Sequence, residues 1–190
     1  MIFHEGDKGD GLYMVEKGKI KVFKLSFEGR EQILHIYGPG HTFGEVPMFE
    51  GKNFPASSMA LEKSVIIFLP RNKFVDLIAA TPMLGMYLLA DLSKRLREFT
   101  VQIENLSLKE VPARLAAYIL TLSKEQQNNK SVTLPISKAQ LSNLIGTTPE
   151  TVSRVFKKMM SSSYIDVQGK TIIIKTLEGL LELSDSGSLS

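Results

Sequence analysis

In the segment SKAQLSNLIGTTPETVSRVFKKM, Ser137 to Met159, the side chains of Glu150, Ser153, Arg154 and Lys157 recur at i, i+3, i+4 and i+7. On a helix that spacing projects all four from one face. The chemistry of the set suits duplex DNA. Arg154 offers a planar fork matching O6 and N7 of guanine, Glu150 can accept from cytosine N4, and Ser153 can contact a base edge or a phosphate. Lys138, Thr147, Thr148, Lys157, Lys158 and Lys170 offer cations and hydroxyls suited to phosphate oxygens, contacts that fix orientation rather than sequence. A plainer reading makes Glu150 and Arg154 a surface pair at i, i+4 worth roughly 0.3 kcal/mol. The two readings are compatible if the pair is exchanged for base contacts on binding.

Those side chains need a rigid mount, and the segment encodes one. Ser137 is placed to cap a helix with Leu141, Leu144 and Ile145 on one side, and Gly146 ends it. Thr148 can cap a second helix with Pro149 in its first turn and Val152, Val155 or Phe156, and Met159 as its buried stripe. Caps on both sides of so short a corner predict a helix-turn-helix. Upstream, a helix is expected over roughly Pro112–Lys124 with Leu115, Ile119 and Leu122 inward, then a short strand at VTLP. Downstream, YIDVQGKTIIIK reads as a hairpin over 164–175 around Gln168-Gly169-Lys170, a wing whose tip lies near phosphate or in solvent. TLEGLLEL is expected to add a helical turn or two, and the tail SDSGSLS to fray.

The first part of the chain is written differently. GLYMVEKGKIKVFKLSFEGREQILHIYGPG places Leu12/Met14, Ile20/Val22 and Ile33/His35 or Leu34/Ile36 at period two, punctuated by glycine turns. Short strands so spaced predict an antiparallel β-roll or jelly roll, so the fold class expected is α+β. After NKFVDLIAATP, a short helix stopped ahead of Pro82, the period lengthens. Leu92, Leu96, Phe99, Ile103 and Leu106 recur at spacings of 4, 3, 4 and 3 on a helix from about Met83 to Ser107. This is a two-heptad seam suited to a parallel dimer, with packing along the roll as the alternative.

Composition narrows the classes. No cysteine occurs, which excludes disulfides, thiolate catalysis and iron–sulfur clusters and fits a cytoplasmic location. No apolar run approaches the roughly 20 residues of a membrane span. The formal net charge is +3. Residues 1–108 balance 13 basic against 13 acidic side chains, whereas 131–175 set Lys138, Arg154, Lys157, Lys158, Lys170 and Lys175 against only Glu150 and Asp166. The basic excess therefore sits with the helix-turn-helix. The opening MIFHEGD reads as a strand entering a turn, so the first strand of the roll is expected to be missing.

The order roll, long helix, winged helix-turn-helix resembles the CRP/FNR superfamily of bacterial transcription regulators. The motifs are GLYMVEKGKIKV, GPGHTFGEVPMFEGKNFPASSMALEKS and ISKAQLSNLIGTTPETVSRVFKKM. The resemblance implies a β-roll effector-sensing domain over 1–82, a dimerisation helix over 83–109 and a winged helix-turn-helix over 110–190. It also implies a homodimer on an inverted repeat with TTG- or GTGA-like half-sites, controlled by a small effector, with RNA polymerase as a further partner. Glu150 and Arg154 match its base-reading glutamate and arginine, Ser153 matches the serine of the FNR-like branch, and Pro149 stands where the cyclic AMP receptor pattern has arginine. The effector pocket it implies comprises Phe43, Gly44, Glu45, Phe49, Phe54, Pro55, Ala56, Met59, Phe99 and Thr100.

Gly44-Glu45 matches the nucleotide-binding pattern, but Phe54-Pro55-Ala56 stands where its arginine would, leaving a phosphate beside Glu45 without a counter-charge. On that ground cyclic AMP is expected to be unlikely, and the chain is placed in the FNR-like or haem and nitric-oxide-responsive branch. Haem is left open, with His4, His35 and His41 as weak ligand candidates. Two rivals remain. One is a cyclic-nucleotide-binding-like module acting through protein partners. The other is a cupin-type enzyme, disfavoured because no His-x-His or clustered glutamate occurs. The chain is therefore read as a regulator, not an enzyme.

Overall fold

The computed structural model describes residues 1–186. The chain forms two compact units, Met1–Leu96 and Arg97–Ser190.

The first unit opens with β1 (Gly11–Lys17), β2 (Ile20–Leu25), β3 (Glu31–Tyr37) and β4 (Thr42–Phe43). It continues through the short helix α1 (Val46–Glu50), β5 (Ser57–Ala60), β6 (Val65–Pro70), α2 (Arg71–Ala80) and the first half of α3 (Met83–Leu108). The strands form two antiparallel sheets, ordered β4-β1-β6 and β3-β2-β5. Phe3, Val15, Ile20, Tyr37, Phe43 and Phe54 are buried together as their core. The period-two pairing expected from sequence is broken in two places. Leu12 and Val15 are buried rather than Leu12 and Met14, and Ile20 and Phe23 rather than Ile20 and Val22. The register shifts do not account for this, because the one in β1 falls beyond Val15 and the one between β2 and β3 skips Leu34 of β3, leaving Leu12–Val15 and Ile20–Phe23 in regular pairing. At the hairpin between β1 and β2, Gly18 has φ +88°, and an added Cβ would lie 2.8 Å from the Ser64 backbone, so no larger residue fits.

Helix α2 stops at Thr81, ahead of Pro82, as the proline requires. Helix α3 then runs for 26 residues. Of the seam residues it carries, Leu96 is 69% exposed and Ile103 65%, while Leu92 and Leu106 are half-buried. Among the described residues no single helix is long and apolar enough to cross a membrane.

The second unit holds the C-terminal half of α3, α4 (Val111–Glu125), β7 (Ser131–Thr133), α5 (Lys138–Ile145), α6 (Pro149–Ser161), β8 (Ile165–Gln168), β9 (Thr171–Ile174) and α7 (Leu177–Ser186). Leu115, Ile119 and Leu122 are buried, as their helical spacing requires. β7 adds to the wing hairpin to give the antiparallel order β7-β9-β8. α7 is longer than expected. It is a ten-residue helix packed along α4, with Leu180 and Leu183 fully buried. Ser184, expected to fray, is 7% exposed within it, and its hydroxyl donates to the Leu181 carbonyl. The rest of the expected frayed tail, 187–190, lies outside the described residues.

Candidate functional site

The helix-turn-helix is built by its caps. The Ser137 hydroxyl accepts from Gln140 N–H while the Gln140 side chain accepts from Ser137 N–H, a reciprocal capping box that fixes the start of α5. Gly146 closes α5 in the left-handed conformation at φ 69°. The Thr148 hydroxyl then accepts from Thr151 N–H to begin α6, with Pro149 in the first turn. Val152, Val155, Phe156 and Met159 are all buried, settling the choice between Val155 and Phe156 in favour of both. Each such burial contributes on the order of 1.5–3 kcal/mol.

The opposite face of α6 presents Glu150, Ser153, Arg154 and Lys157, which together with Pro149 line one shallow depression. Among the described residues no ion pair joins Glu150 to Arg154. The Glu150 carboxyl is held below its ordinary value of 4.5, first by its own backbone N–H and then by the Thr148 hydroxyl. It thus stays anionic at the helix N-terminus, where the macrodipole favours negative charge. Lys138 rests its ammonium 5.4 Å from the centre of the Phe156 ring, tying α5 to α6, and Lys170 is exposed in the wing turn.

One positioning residue escapes the sequence reading. Arg114 of α4 donates from Nε to the Lys109 carbonyl at 2.9 Å and from Nη1 to the Ile145 and Gly146 carbonyls at 2.8 and 3.3 Å. It thereby satisfies carbonyls at the end of α5 that would otherwise lack donors, and stakes the corner between the two helices to α4. Partial burial lowers its pKa, through desolvation of the charge. Its only sequence signal is a lone arginine among apolar neighbours in the first turns of the helix.

In the first unit the corner around Gly44 is crowded. Gly44 has φ +73°, and an added Cβ would fall 3.1–3.3 Å from Phe3, Tyr13 and Phe54, whose rings fill the space behind it. Phe43, Phe54 and Ala56 are core, and Phe54 stacks on Phe3 at 3.7 Å. Met59 is half-buried on β5, paired with Lys21 of β2. Phe49 does not join the corner, because it is 51% exposed and packs edge-on against Phe74 at 5.8 Å. The reason is local. α1 is a single turn, so Met48 takes the inward side and Phe49 turns out. Phe99 and Thr100 belong to the second unit.

A guanidinium missed by the sequence reading stands at this corner. Arg95 of α3 is 6% exposed. Its Nη1 lies 3.4 Å from Glu45 Oε1, and its Nη2 donates to Thr42 Oγ1 at 3.0 Å and pairs with Asp91 one turn back. The group sits 4.9 Å from the Tyr37 ring centre. Its Nε is buried without a hydrogen-bond partner, a donor left over for an anion. Arg95 thus places a cation beside Glu45 that the reading of Phe54-Pro55-Ala56 did not include, shared with Asp91.

The histidines are dispersed in role. His4 is exposed beside Asp7, the His41 ring contacts the Gly38 carbonyl at 3.3 Å, and His35 packs 4.4 Å from Tyr37. Among the described residues no group of three or more histidine, aspartate and glutamate side chains is placed to hold a metal ion.

Residues 1–81 match the profile of the cyclic nucleotide-binding domain, and residues 113–183 that of the Crp-like helix-turn-helix domain. The chain is 31% identical over 183 residues to the cyclic AMP receptor protein of Thermus thermophilus, covering 96% of this chain and 83% of that one. The chain belongs to the cyclic AMP receptor branch of the CRP/FNR superfamily. It is also 30% identical to the cAMP-activated global transcriptional regulator CRP of Haemophilus influenzae, over 91% of this chain and 79% of the relative. A crystal structure of a CRP/FNR-family transcriptional regulator from Thermus thermophilus superposes with a TM-score of 0.73 at 26% identity, covering 98% of each chain.

These findings make the protein a sequence-specific DNA-binding transcriptional regulator with an N-terminal cyclic-nucleotide-binding-like domain. The family is one of regulators, not catalysts, so the cupin alternative is set aside. They also overturn two expectations. Placement in the FNR-like or haem-responsive branch rested on Ser153, Pro149 and Phe54-Pro55-Ala56, local features outweighed by similarity along nearly the whole chain. The expectation against cyclic AMP is overturned with it, since the relatives that the chain matches are named for that nucleotide.

Proposed function

We propose that the protein works as a homodimer joined along α3, that two copies of α6 read an inverted repeat, and that a cyclic nucleotide bound in the roll sets the affinity for DNA. The observation that carries the reading of DNA is the face of α6. Its four polar side chains share one depression on a helix whose other face is buried and whose start is capped at Thr148. In this reading Arg154 and Glu150 meet base edges and Ser153 a base or phosphate. Lys138, Thr147, Thr148, Lys157, Lys158 and Lys170 follow the backbone.

For the effector, the support is a donor and acceptor set that fits a cyclic nucleotide. Glu45 can accept from ribose hydroxyls, and Arg95, with its unused Nε, can meet the phosphate. Phe54-Pro55-Ala56 contributes no charged side chain there. The dimer rests on the exposure of Leu96 and Ile103 along the heptad seam with Leu92, Phe99 and Leu106. RNA polymerase is the partner this reading assigns to the DNA-bound form.

Selection of bound fragments from random duplexes, with and without cyclic AMP, tests it. An enriched inverted repeat bound 5- to 150-fold more tightly with the nucleotide is expected, a coupling of about 1–3 kcal/mol. Recovery of no preferred duplex would sink the reading, and equal affinity in both conditions would remove its effector part.

A further inference from the structure

A cavity in the first unit lies outside the effector corner. It has a volume of about 330 Å³ and is lined by Met48 and Phe49 of α1 and by Arg71, Phe74, Val75, Ile78 and Ala79 of α2. That volume falls at the lower end of the roughly 300–1,000 Å³ common for small-molecule sites. The lining is apolar except for one group. Arg71 is fixed by its Nε, which donates to the Met48 carbonyl at 3.0 Å, so the two terminal nitrogens of its fork remain for another acceptor. Among the described residues it pairs with no carboxylate. The neighbouring Glu50 is already paired with Lys52 at 3.1 Å, and neither Lys73 nor Asp76 lines the cavity.

The walls make the feature unusual for a surface helix. α2 buries none of its ten residues fully, and Val75 and Phe49 are each 51% exposed where they border the cavity. Phe49 and Phe74 meet edge to face and leave their outer surfaces to whatever enters. An apolar slot with one oriented guanidinium at its rim is complementary to a molecule with an apolar body and a single anionic head. A polyanion would find one cation only, and a neutral hydrocarbon would leave the fork unused.

We infer that this cavity is a binding site for a small amphipathic monocarboxylate, its chain against Phe49, Phe74 and Ile78 and its carboxylate paired with Arg71. The site shares α1 with the effector corner, since Glu45 stands at the N-cap of the one-turn helix that carries Met48 and Phe49, and Phe49 N–H donates to the Glu45 carbonyl at 3.1 Å.

Titration calorimetry of the full chain with octanoate, below its micelle concentration, tests the assignment without recourse to DNA. Octanoate is expected to bind one per chain. Octanol and Arg71→Gln should each weaken binding roughly tenfold, the scale of one charge-assisted hydrogen bond, while Arg71→Lys should restore part of it. Ala79→Phe, which fills the slot, should abolish binding with the circular dichroism of the protein unchanged. If Ala79→Phe fails to fold, the Arg71 pair decides alone. Absence of saturable binding by the wild-type chain overturns the inference. So does equal affinity for octanoate and octanol, or an Arg71→Gln protein that binds as well as wild type, since either reduces the cavity to a greasy contact surface suited to a protein partner.

Discussion

Arg95 and Glu45 stand 50 positions apart in the chain and 3.4 Å apart in space, both largely withdrawn from water. The contact ties α3 to the corner that starts α1, and Asp91 completes the pairing from one turn back along the helix. With one cation between two carboxylates, removing the cation is the costly change. Arg95→Met should destabilise the protein by about 2–3 kcal/mol in urea denaturation, below the range for fully buried pairs because Asp91 is 34% exposed. Adding Glu45→Gln to it should recover part of the loss, because the stranded charge goes too. Equal losses in the single and double variants would show that the pair is uncoupled.

Tyr37 lies under the Arg95 guanidinium, and its ionisation reports on the same corner. Burial pushes its phenol up to about 12 from 10.0, opposed by Arg95 and assisted by Glu45. A group whose pKa is raised on folding stabilises the folded state fully below its unfolded value and loses that contribution as pH rises through its folded one. Stability should therefore fall between pH 10 and 12. Tyr37→Phe should flatten that part of the profile in thermal melts followed against pH, and an unchanged slope would place the phenol in water.

Much of the second unit was legible from sequence because its signals are local. Ser137, Gly146, Thr148 and Pro149 specify helix ends through bonds made within three or four residues, and the structure forms every one of those ends where expected. The first unit was legible in class but not in burial. Which strand residues are buried depends on what packs over each face from elsewhere in the chain, and alternation within one strand does not carry that information. Arg95 and Arg114 were missed for a related reason. Each acts chiefly on groups about 30 to 50 residues away, and the local partners, Asp91 for Arg95 and the Lys109 carbonyl for Arg114, do not reveal those distant contacts. Phe49 misled because a one-turn helix carries no periodicity from which its face can be read.

Arg114 offers a clean test of how the helix-turn-helix corner is held. Arg114→Leu retains apolar bulk in α4 but removes three donors, leaving the Ile145 and Gly146 carbonyls dependent on water. A loss of about 1–3 kcal/mol in denaturation is expected. Thr148→Ala should cost about 1 kcal/mol by removing the cap alone. Hydrogen exchange at Thr151, whose N–H the Thr148 hydroxyl accepts, should rise in the second variant. Protection unchanged there would argue against the cap.

The seam on α3 predicts assembly. Ile103→Asp places a charge on a side chain that is 65% exposed in the single chain, so the protomer should fold with little change in stability. In a dimer joined along α3 the same charge would be desolvated against its partner. Sedimentation should then show the wild-type chain as a dimer and the variant as a monomer, at equal helix content. A variant that sediments with the wild type would move the interface off this stripe.

Reading bases and holding phosphates leave different signatures, and α6 carries both kinds of side chain on one face. Arg154→Ala should weaken binding to the selected operator by about 1–3 kcal/mol and relax preference at the base pair it contacts, while barely affecting binding to random duplex. Lys157→Ala should weaken operator and random duplex alike and lower the salt slope by about 1, since one phosphate contact releases one counterion's worth of dependence. Fluorescence anisotropy across a salt series separates the two. If Arg154→Ala behaved like Lys157→Ala, losing affinity evenly across sequences, the guanidinium would be a backbone clamp, and readout would have to pass to Glu150, Ser153 and the shape of the duplex.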